Sequence, residues 1–558
     1  MNKQLLAYTL YIMALCTTST GWGQALRNPF DFPIRLSGNF GELRSNHFHS
    51  GIDFKTQGVE GKAVHAVQEG YIARISVSPW GYGNALYLAH PDGTTTVYGH
   101  LQRFIPAVAA YVREQQYAQE RFQVDLQLTP DQFPVEQGAI IAYSGNTGSS
   151  GGPHLHFEWR DTETDDPMDP MEPYLAQIED TRAPQAQAIR IYPIQGEGMI
   201  NGKCEAQTIP IRQQAGKPQL QKAIQAWGKV GLGIQAHDLM DQTTNVYGVR
   251  NIRLSVDGLV IFESDLNRFS FAETRYLNSF TDYPEWIRHH TFFVKSYVEP
   301  GNRLPFIESL QRGILTIDEE RRYEVVYTLT DLAGNQTRIP FVIEGKEQTL
   351  PEPDESGELF NWRDENHFGA SGIRLQLPKE SLYDSLRFRY RAETDSTRQT
   401  TRHYLHDEPV ALHRPARLSL RIVQDTLADK QQYGIVRIHK GKRTWAGGTY
   451  RKGWVDASIR ELGCYQLATD TEAPRITPID TKLWKQKRMF RFRLTDNLSG
   501  VATYRGEIDG QFVLFEMNNR SVITYIWEAG QWNQGRHTLK LTVQDAAHNE
   551  QCYIYEFE

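Results

Sequence analysis

Three separated stretches of the chain hold the side chains best suited to binding a metal ion and activating water. The first is Asn46-His47-Phe48-His49-Ser50-Gly51-Ile52-Asp53. The second, Thr94 to Leu101, contains His100. The third, Ser144 to Glu158, is a glycine-rich run ending in His154-Leu155-His156-Phe157-Glu158. Two imidazoles and one carboxylate suit a catalytic zinc whose fourth position stays open for water. His154 and His156 alternate on a strand-like run, so both rings can enter one site. His49 and Asp53 are four apart with Gly51 between, so a turn leading into a strand can bring them together. Either motif alone is weak, because chance histidine pairs on strands are common. Both motifs together with a third histidine after a strand are hard to reach by accident.

The elements that must position these residues read as short strands between glycine turns. Tyr71 to Val77 alternates like a half-buried strand, and Ala85–His90 and Thr94–His100 flank the hairpin signal Pro91-Asp92-Gly93. Ile140 to Tyr143 and His154 to Trp159 continue the pattern. Phe104 to Pro134 interrupts it, and Pro106 is placed to open a helix reaching about Gln119 with Val108, Tyr111 and Val112 turned inward. A connection of that length inside a compact domain usually carries structure or function, and the expectation is one wall of a substrate groove, with a surface decoration that buries a little apolar area as the alternative. His65 and His90 read as surface residues, Tyr98 and Phe157 as packing residues, and Asp165, Asp166 and Asp169 as a solvated acidic loop. Glu158 is expected beyond the metal, at the groove edge and not among its ligands.

Residues 38–174 resemble the lysostaphin/LytM-type zinc metalloendopeptidases, a family of peptidoglycan endopeptidases. The family pattern of HxxxD, a histidine within Tyr-x-His-Leu, and a glycine-rich loop ending in HxH is met in order by His49/Asp53, Tyr98-Gly99-His100-Leu101 and His154/His156. Gly81-Tyr82-Gly83-Asn84 and Ser144-Gly145-Asn146-Thr147-Gly148 match as well. The resemblance implies a mainly β, LytM-type sheet domain of the duplicated hybrid motif kind. It implies one Zn2+ per chain held by His49, Asp53 and His156, with His100 and His154 flanking the attacking water as catalytic residues. It also implies peptidoglycan peptides as substrate, with a D-Ala to meso-diaminopimelate cross-link (D,D-endopeptidase activity) the first choice. There is no HExxH motif, so a glutamate-base mechanism is not indicated.

The rest of the chain sets the context. At 558 residues it is too long for one core. A net charge of -7 gives no bulk attraction to nucleic acid or anionic membrane. Residues 1–23 have the three-part form of a secretory signal peptide, and their apolar run, Leu5 to Cys16, is too short to span a membrane, which predicts an exported protein, periplasmic or at the cell surface. The peptidase domain is then expected over 24–175, with its helical insertion at about 104–134. Asp180-Thr181-Arg182-Ala183-Pro184 recurs as Asp470-Thr471-Glu472-Ala473-Pro474, and Asp331-Leu332-Ala333-Gly334-Asn335 as Asp545-Ala546-Ala547-His548-Asn549. These echoes predict immunoglobulin-like sandwiches over 180–345, with an insertion near 269–312, and over 470–558, with a β-rich module at 358–469 between them. Cys204, Cys464 and Cys552 lack metal-site spacing, and oxidation of Cys464 with Cys552 is conceivable in an exported protein. Two alternatives stand beside the enzyme: a non-hydrolytic LytM-like module that activates an amidase, and a multi-sandwich cell-wall binding or scaffold protein with an envelope partner.

Overall fold

The metal-site motifs lie on the inner strands of one antiparallel sheet. In this computed structural model, which describes residues 26–214, 217–395, 400–518, 521–528, 530–532 and 535–558, that sheet is built from β1 (Leu36–Gly38), β2 (Ile52–Lys55), β3 (Gly70–Val77), β4 (Asn84–Ala89), β5 (Thr94–Gly99), β6 (Val124–Gln127) and β7 (His154–Asp161). Their spatial order is β1-β2-β7-β5-β4-β3-β6. The expected signal peptide, with Cys16, lies outside the described residues. Ala63–His65, Ile140–Tyr143 and Arg103–Phe104 form a separate small sheet.

Alternation along β7 divides its side chains. Leu155 and Phe157 enter the core, where Phe157 meets the rings of Phe54 and Tyr98 at 5.7 and 5.4 Å. His154, His156, Glu158 and Arg160 therefore share the opposite face. Register completes the arrangement, because His156 stands opposite Asp53 of β2 on one side and Gly99 of β5 on the other.

Between β5 and β6 runs α1 (Pro106–Ala118), with proline in its first turn as the sequence predicts. Val108 and Val112 are buried, and Tyr111 meets Phe133. The far end of this insertion serves a purpose the sequence did not reveal. Tyr117 packs edge-on to Phe512 at 5.7 Å, Glu120 pairs with Arg505 at 2.7 Å, and Phe122 joins the core of the last module. This end of the insertion docks the C-terminal module, a contact between residues nearly four hundred positions apart that no local pattern could signal.

Residues 185–345 add a 12-stranded sheet dominated by the 16-residue strands Gln185–Ile200 and Ile224–Leu239. Its insertion contains the short helix Tyr283–His289, capped where Asp282 accepts the Glu285 N–H. The core of this module runs into that of the first domain: Phe48 meets Phe269, Phe280 and Phe306 at 5.4, 6.0 and 5.7 Å. Residues 358–469 carry two five-stranded sheets and residues 475–557 two four-stranded ones. No helix among the described residues is long and apolar enough to cross a membrane. Cys204, Cys464 and Cys552 are free thiols, so the conceivable Cys464–Cys552 bridge is not formed.

Three surface readings need correction. Asp169 is buried and paired with Arg250 at 2.7 Å, while Asp166 pairs with Arg268 and Asp165 with Arg160. The acidic loop is thus tied down by arginines rather than solvated. His65 is buried between the Gly138 carbonyl and Asp31, and His90 between the Glu69 carbonyl and Thr96. Each uses both ring nitrogens in hydrogen bonds to its neighbours, a structural role.

Candidate metal centre

Asp53, His49 and His156 converge at the buried edge of β2 and β7. His49 Nε2 lies 3.0 Å from His156 Nδ1 and 3.2 Å from Asp53 Oδ1, and His156 Nδ1 lies 3.0 Å from the same oxygen. Gly51 allows this approach, since a Cβ there would come within 2.1 Å of the Phe157 carbonyl oxygen and 2.8 Å of Glu158.

The other atom of each group is already engaged. A carbonyl can only accept, so the 2.7 Å contact from His49 Nδ1 to the Asn39 carbonyl fixes the proton on Nδ1 and turns the Nε2 lone pair inward. His156 is held the opposite way round: its Nε2–H donates to Glu158 Oε1 at 2.8 Å and leaves Nδ1 facing the site. Arg44 Nη2 donates to Asp53 Oδ2 at 2.8 Å, leaving Oδ1 for the centre. Two nitrogen lone pairs and an anionic oxygen thus face one another at about 3 Å. Only a positive charge between them relieves that repulsion, so the donor set fits a divalent cation of the zinc type.

The electrostatics agree. Burial alone would push His156 down, but hydrogen bonds to Asp53 and Glu158 outweigh it and raise its pKa to about 9. Without a metal, a proton on Nδ1 fills the place of the cation. Burial would raise Asp53, yet the two imidazoles of His49 and His156 that face it hold it well below the usual carboxylate range. His49 is lowered, chiefly by burial, against the opposing pull of Asp53.

His100 and His154 complete the set. His100 directly follows β5 at a left-handed φ of 58°. Its Nδ1–H donates to the Thr147 carbonyl at 2.8 Å, as the Nδ1–H of His154 does to Gly152. Both therefore present an Nε2 acceptor, and their ring centroids lie 4.7 Å apart. Gly145 lets the glycine-rich loop close on this strand end: a Cβ there would meet the Gln102 amide nitrogen at 2.3 Å. Burial, aided by the charges of His156 and His154, lowers His100 to about 3, so it stays a neutral acceptor at ordinary pH.

The structure brings all five sequence-selected residues together and surrounds them with supports that sequence reasoning did not assign. Glu158 is not at a groove edge. It is fully buried beneath His156 and accepts from Tyr82 OH at 2.6 Å, Ser50 Oγ at 2.5 Å and Arg160 Nε at 2.6 Å. Burial would raise its pKa, but Arg160 and the His156 hydrogen bond bring it down to about 2. The signal was present in His-x-His-x-Glu-x-Arg, which alternation places on one face. Arg44 and Asn39 carried no such signal, because Arg44 sits on the short strand Leu43–Arg44 and Asn39 in a loop, both outside the sheet that holds the motifs.

Two histidines and one aspartate facing one point, two further histidine acceptors and a buried carboxylate behind one of the three have the make-up of a metal-dependent hydrolytic site. Comparison with known proteins makes this particular: residues 47–120 match the model for peptidase family M23, and the chain carries a peptidase M23 domain. Residues 357–470 match a Zu5-like domain. The DD-carboxypeptidase/endopeptidase Mpg of Neisseria meningitidis is 31% identical over 157 residues, which is 27% of this chain and 30% of the relative. Peptidoglycan DD-endopeptidase ShyC of Vibrio cholerae is 30% identical over 140 residues, 24% of this chain and 26% of the relative. The match thus spans under a third of these relatives. Among solved structures, the catalytic domain of lysostaphin from Staphylococcus simulans is 27% identical and aligns over 26% of this chain and 92% of that one, with a TM-score of 0.19.

Proposed function

We propose that the protein is an exported zinc-dependent endopeptidase that hydrolyses peptide cross-links of bacterial peptidoglycan, with D,D-type cross-links preferred. The observation that supports it best is the trio His49 Nε2, His156 Nδ1 and Asp53 Oδ1, turned toward one another because the other polar atom of each group is already engaged. These three would hold one Zn2+ per chain. The ion would supply Lewis acidity toward a carbonyl and make water a nucleophile near neutral pH.

The protein's own groups do the rest. The Nε2 atoms of His100 and His154, each left as an acceptor by its Nδ1–H bond, accept the proton of the attacking water, and the resulting imidazolium can return it to the leaving amine. Arg44 and Glu158 hold Asp53 and His156 in the required orientation. The relatives named as DD-endopeptidases favour peptidoglycan over other peptides, and such a substrate places the protein outside the cytoplasmic membrane. The full set of five residues favours hydrolysis over an amidase-activating module.

The test is zinc content together with products from D-Ala–meso-diaminopimelate cross-linked muropeptides, using the full chain. His156→Ala should lose zinc and activity together, while His154→Ala should keep zinc and lose activity. Equal zinc loss in the two variants would overturn the division of roles. No muropeptide cleavage by a zinc-loaded wild type would overturn the substrate.

A further inference from the structure

Two other clusters in the chain have the chemistry of cation sites, and they are built alike. In the first, Asp180, Asp238 and Asp331 bring carboxylate oxygens within 4.8 Å of one another; in the second, Asp470, Asp496 and Asp545 do the same. The clusters mark the start of two different β-modules, and the hydrogen bonds made by the asparagine beside each correspond. The Asn335 amide donates to the Asp180 carbonyl at 3.1 Å and to Asp331 Oδ2 at 2.8 Å, and its backbone N–H to Asp331 Oδ1 at 2.8 Å. Asn549 donates to the Asp470 carbonyl at 3.0 Å, to Asp545 Oδ2 at 2.8 Å and by its N–H to Asp545 Oδ1 at 2.8 Å.

Close carboxylates alone prove nothing, but each cluster leaves one oxygen without a protein partner. Asp238 is only 3% exposed, yet its buried Oδ1 has no hydrogen-bond partner. Asp496 holds the Leu498 and Gly500 N–H groups on Oδ2, and its buried Oδ1 is likewise unpartnered. A buried carboxylate oxygen left unpaired is costly. Among the described residues no Lys or Arg forms an ion pair with any of the six aspartates. The guanidinium of Arg182 is turned instead to the carbonyls of Met240 and Thr243. Beside the first cluster a small cavity opens onto Asp180 and Asp238.

We infer that these clusters are two structural calcium sites, one at the head of the module that follows the peptidase domain and one at the head of the last module. The donors are all oxygen and mostly carboxylate, which favours a hard cation over zinc. Calcium, which accepts an irregular set of six to eight oxygens, fits better than magnesium, which holds to an octahedral shell and keeps its waters. The inference is independent of the peptidase reading.

The test is calorimetric titration of CaCl2 into the full chain, freed of calcium by ion exchange and checked by elemental analysis to have kept its zinc. Two calcium equivalents should bind, and a large excess of MgCl2 should not displace them. Asp238→Asn and Asp496→Asn should each reduce the stoichiometry to one, and the double variant to none, with zinc content unchanged. Should Asp238→Asn fail to fold, Asp180→Asn, at a half-exposed position, tests the same site. Absence of calcium binding, a single equivalent in the wild type, or two equivalents retained in the variants would overturn the proposal. If Asp238 were instead a neutral acid, Asp238→Asn would fold as well as the wild type and calcium would stabilise neither, which also overturns it.

Discussion

Replacing Glu158 by Gln keeps the side chain's shape and removes its charge. Oε1 accepts from His156, Tyr82 and Ser50, and Oε2 from Arg160. If the amide oxygen stays with the three donors, its NH2 faces the Arg160 guanidinium, donor against donor. If it flips, three donors lose their acceptor. Breaking one side of a buried ion pair costs about 3–5 kcal/mol. Arg160 keeps a 2.8 Å contact with Asp165, so about 3 kcal/mol is expected. At roughly 2–4 °C per kcal/mol for 150–250 residues, and less for a larger cooperative unit, the transition that contains the peptidase domain should fall by up to about 6–12 °C. Losing the carboxylate behind His156 should also weaken zinc binding by about 10–100-fold. Thermal unfolding and competition against a chromogenic chelator read the two effects separately. A Glu158→Gln chain that unfolds at the wild-type temperature and binds zinc with wild-type affinity would refute the account of the buried network.

Zinc uptake should release about one proton per chain at neutral pH, because His156 is raised to about 9 and must give up its Nδ1 proton to bind; calorimetry in buffers of differing ionisation enthalpy would show no such dependence if the site were already neutral. The same raised pKa stabilises the metal-free chain fully below the ordinary 6.5, and that stability is lost as pH rises through about 9. Metal-free stability that stays level between those values, in chemical unfolding at several pH values, would contradict it. His100→Ala should retain zinc and lose about 10²–10⁴-fold in hydrolysis, measured with saturating muropeptide. Exchanging Ala107–Asp131 for a short glycine loop should leave zinc bound but free the last module, raising the radius of gyration in solution scattering; an unchanged value would show that other contacts hold that module.

How much was legible follows from how local each signal is. HxxxD and HxH lie within five residues, and strand alternation turns their spacing directly into a shared face. The helix after Pro106 was readable for the same reason, from proline at its start and valines four apart. Glu158 was visible to the same rule but was placed at an edge, because nothing in the sequence says that β7 lies between β2 and β5 and is covered there. Asn39, Arg44 and the docking of Tyr117 on Phe512 depend on how loops and modules fold back, which spacing does not encode. The aspartate echoes were readable as a repeat. Their third members, Asp238 and Asp496, sit in unlike surroundings, and only the fold brings them to the other two.

The carbonyl that orients His49 belongs to Asn39, and the side chain of that residue is clasped from outside the peptidase domain: its Nδ2 donates to the Gly248 carbonyl at 2.8 Å and its Oδ1 accepts the Gly248 N–H at 2.9 Å. Phe48, next in sequence to the same histidine, is seated among aromatic rings of the neighbouring module. A chain cut near residue 175 would thus lose the support behind a metal ligand and bare a cluster of phenylalanines, although every motif residue remained. The first domain is therefore not a portable cassette: it leans on the following module through Gly248 and three phenylalanines, and exchange of that module between proteins would be felt at His49.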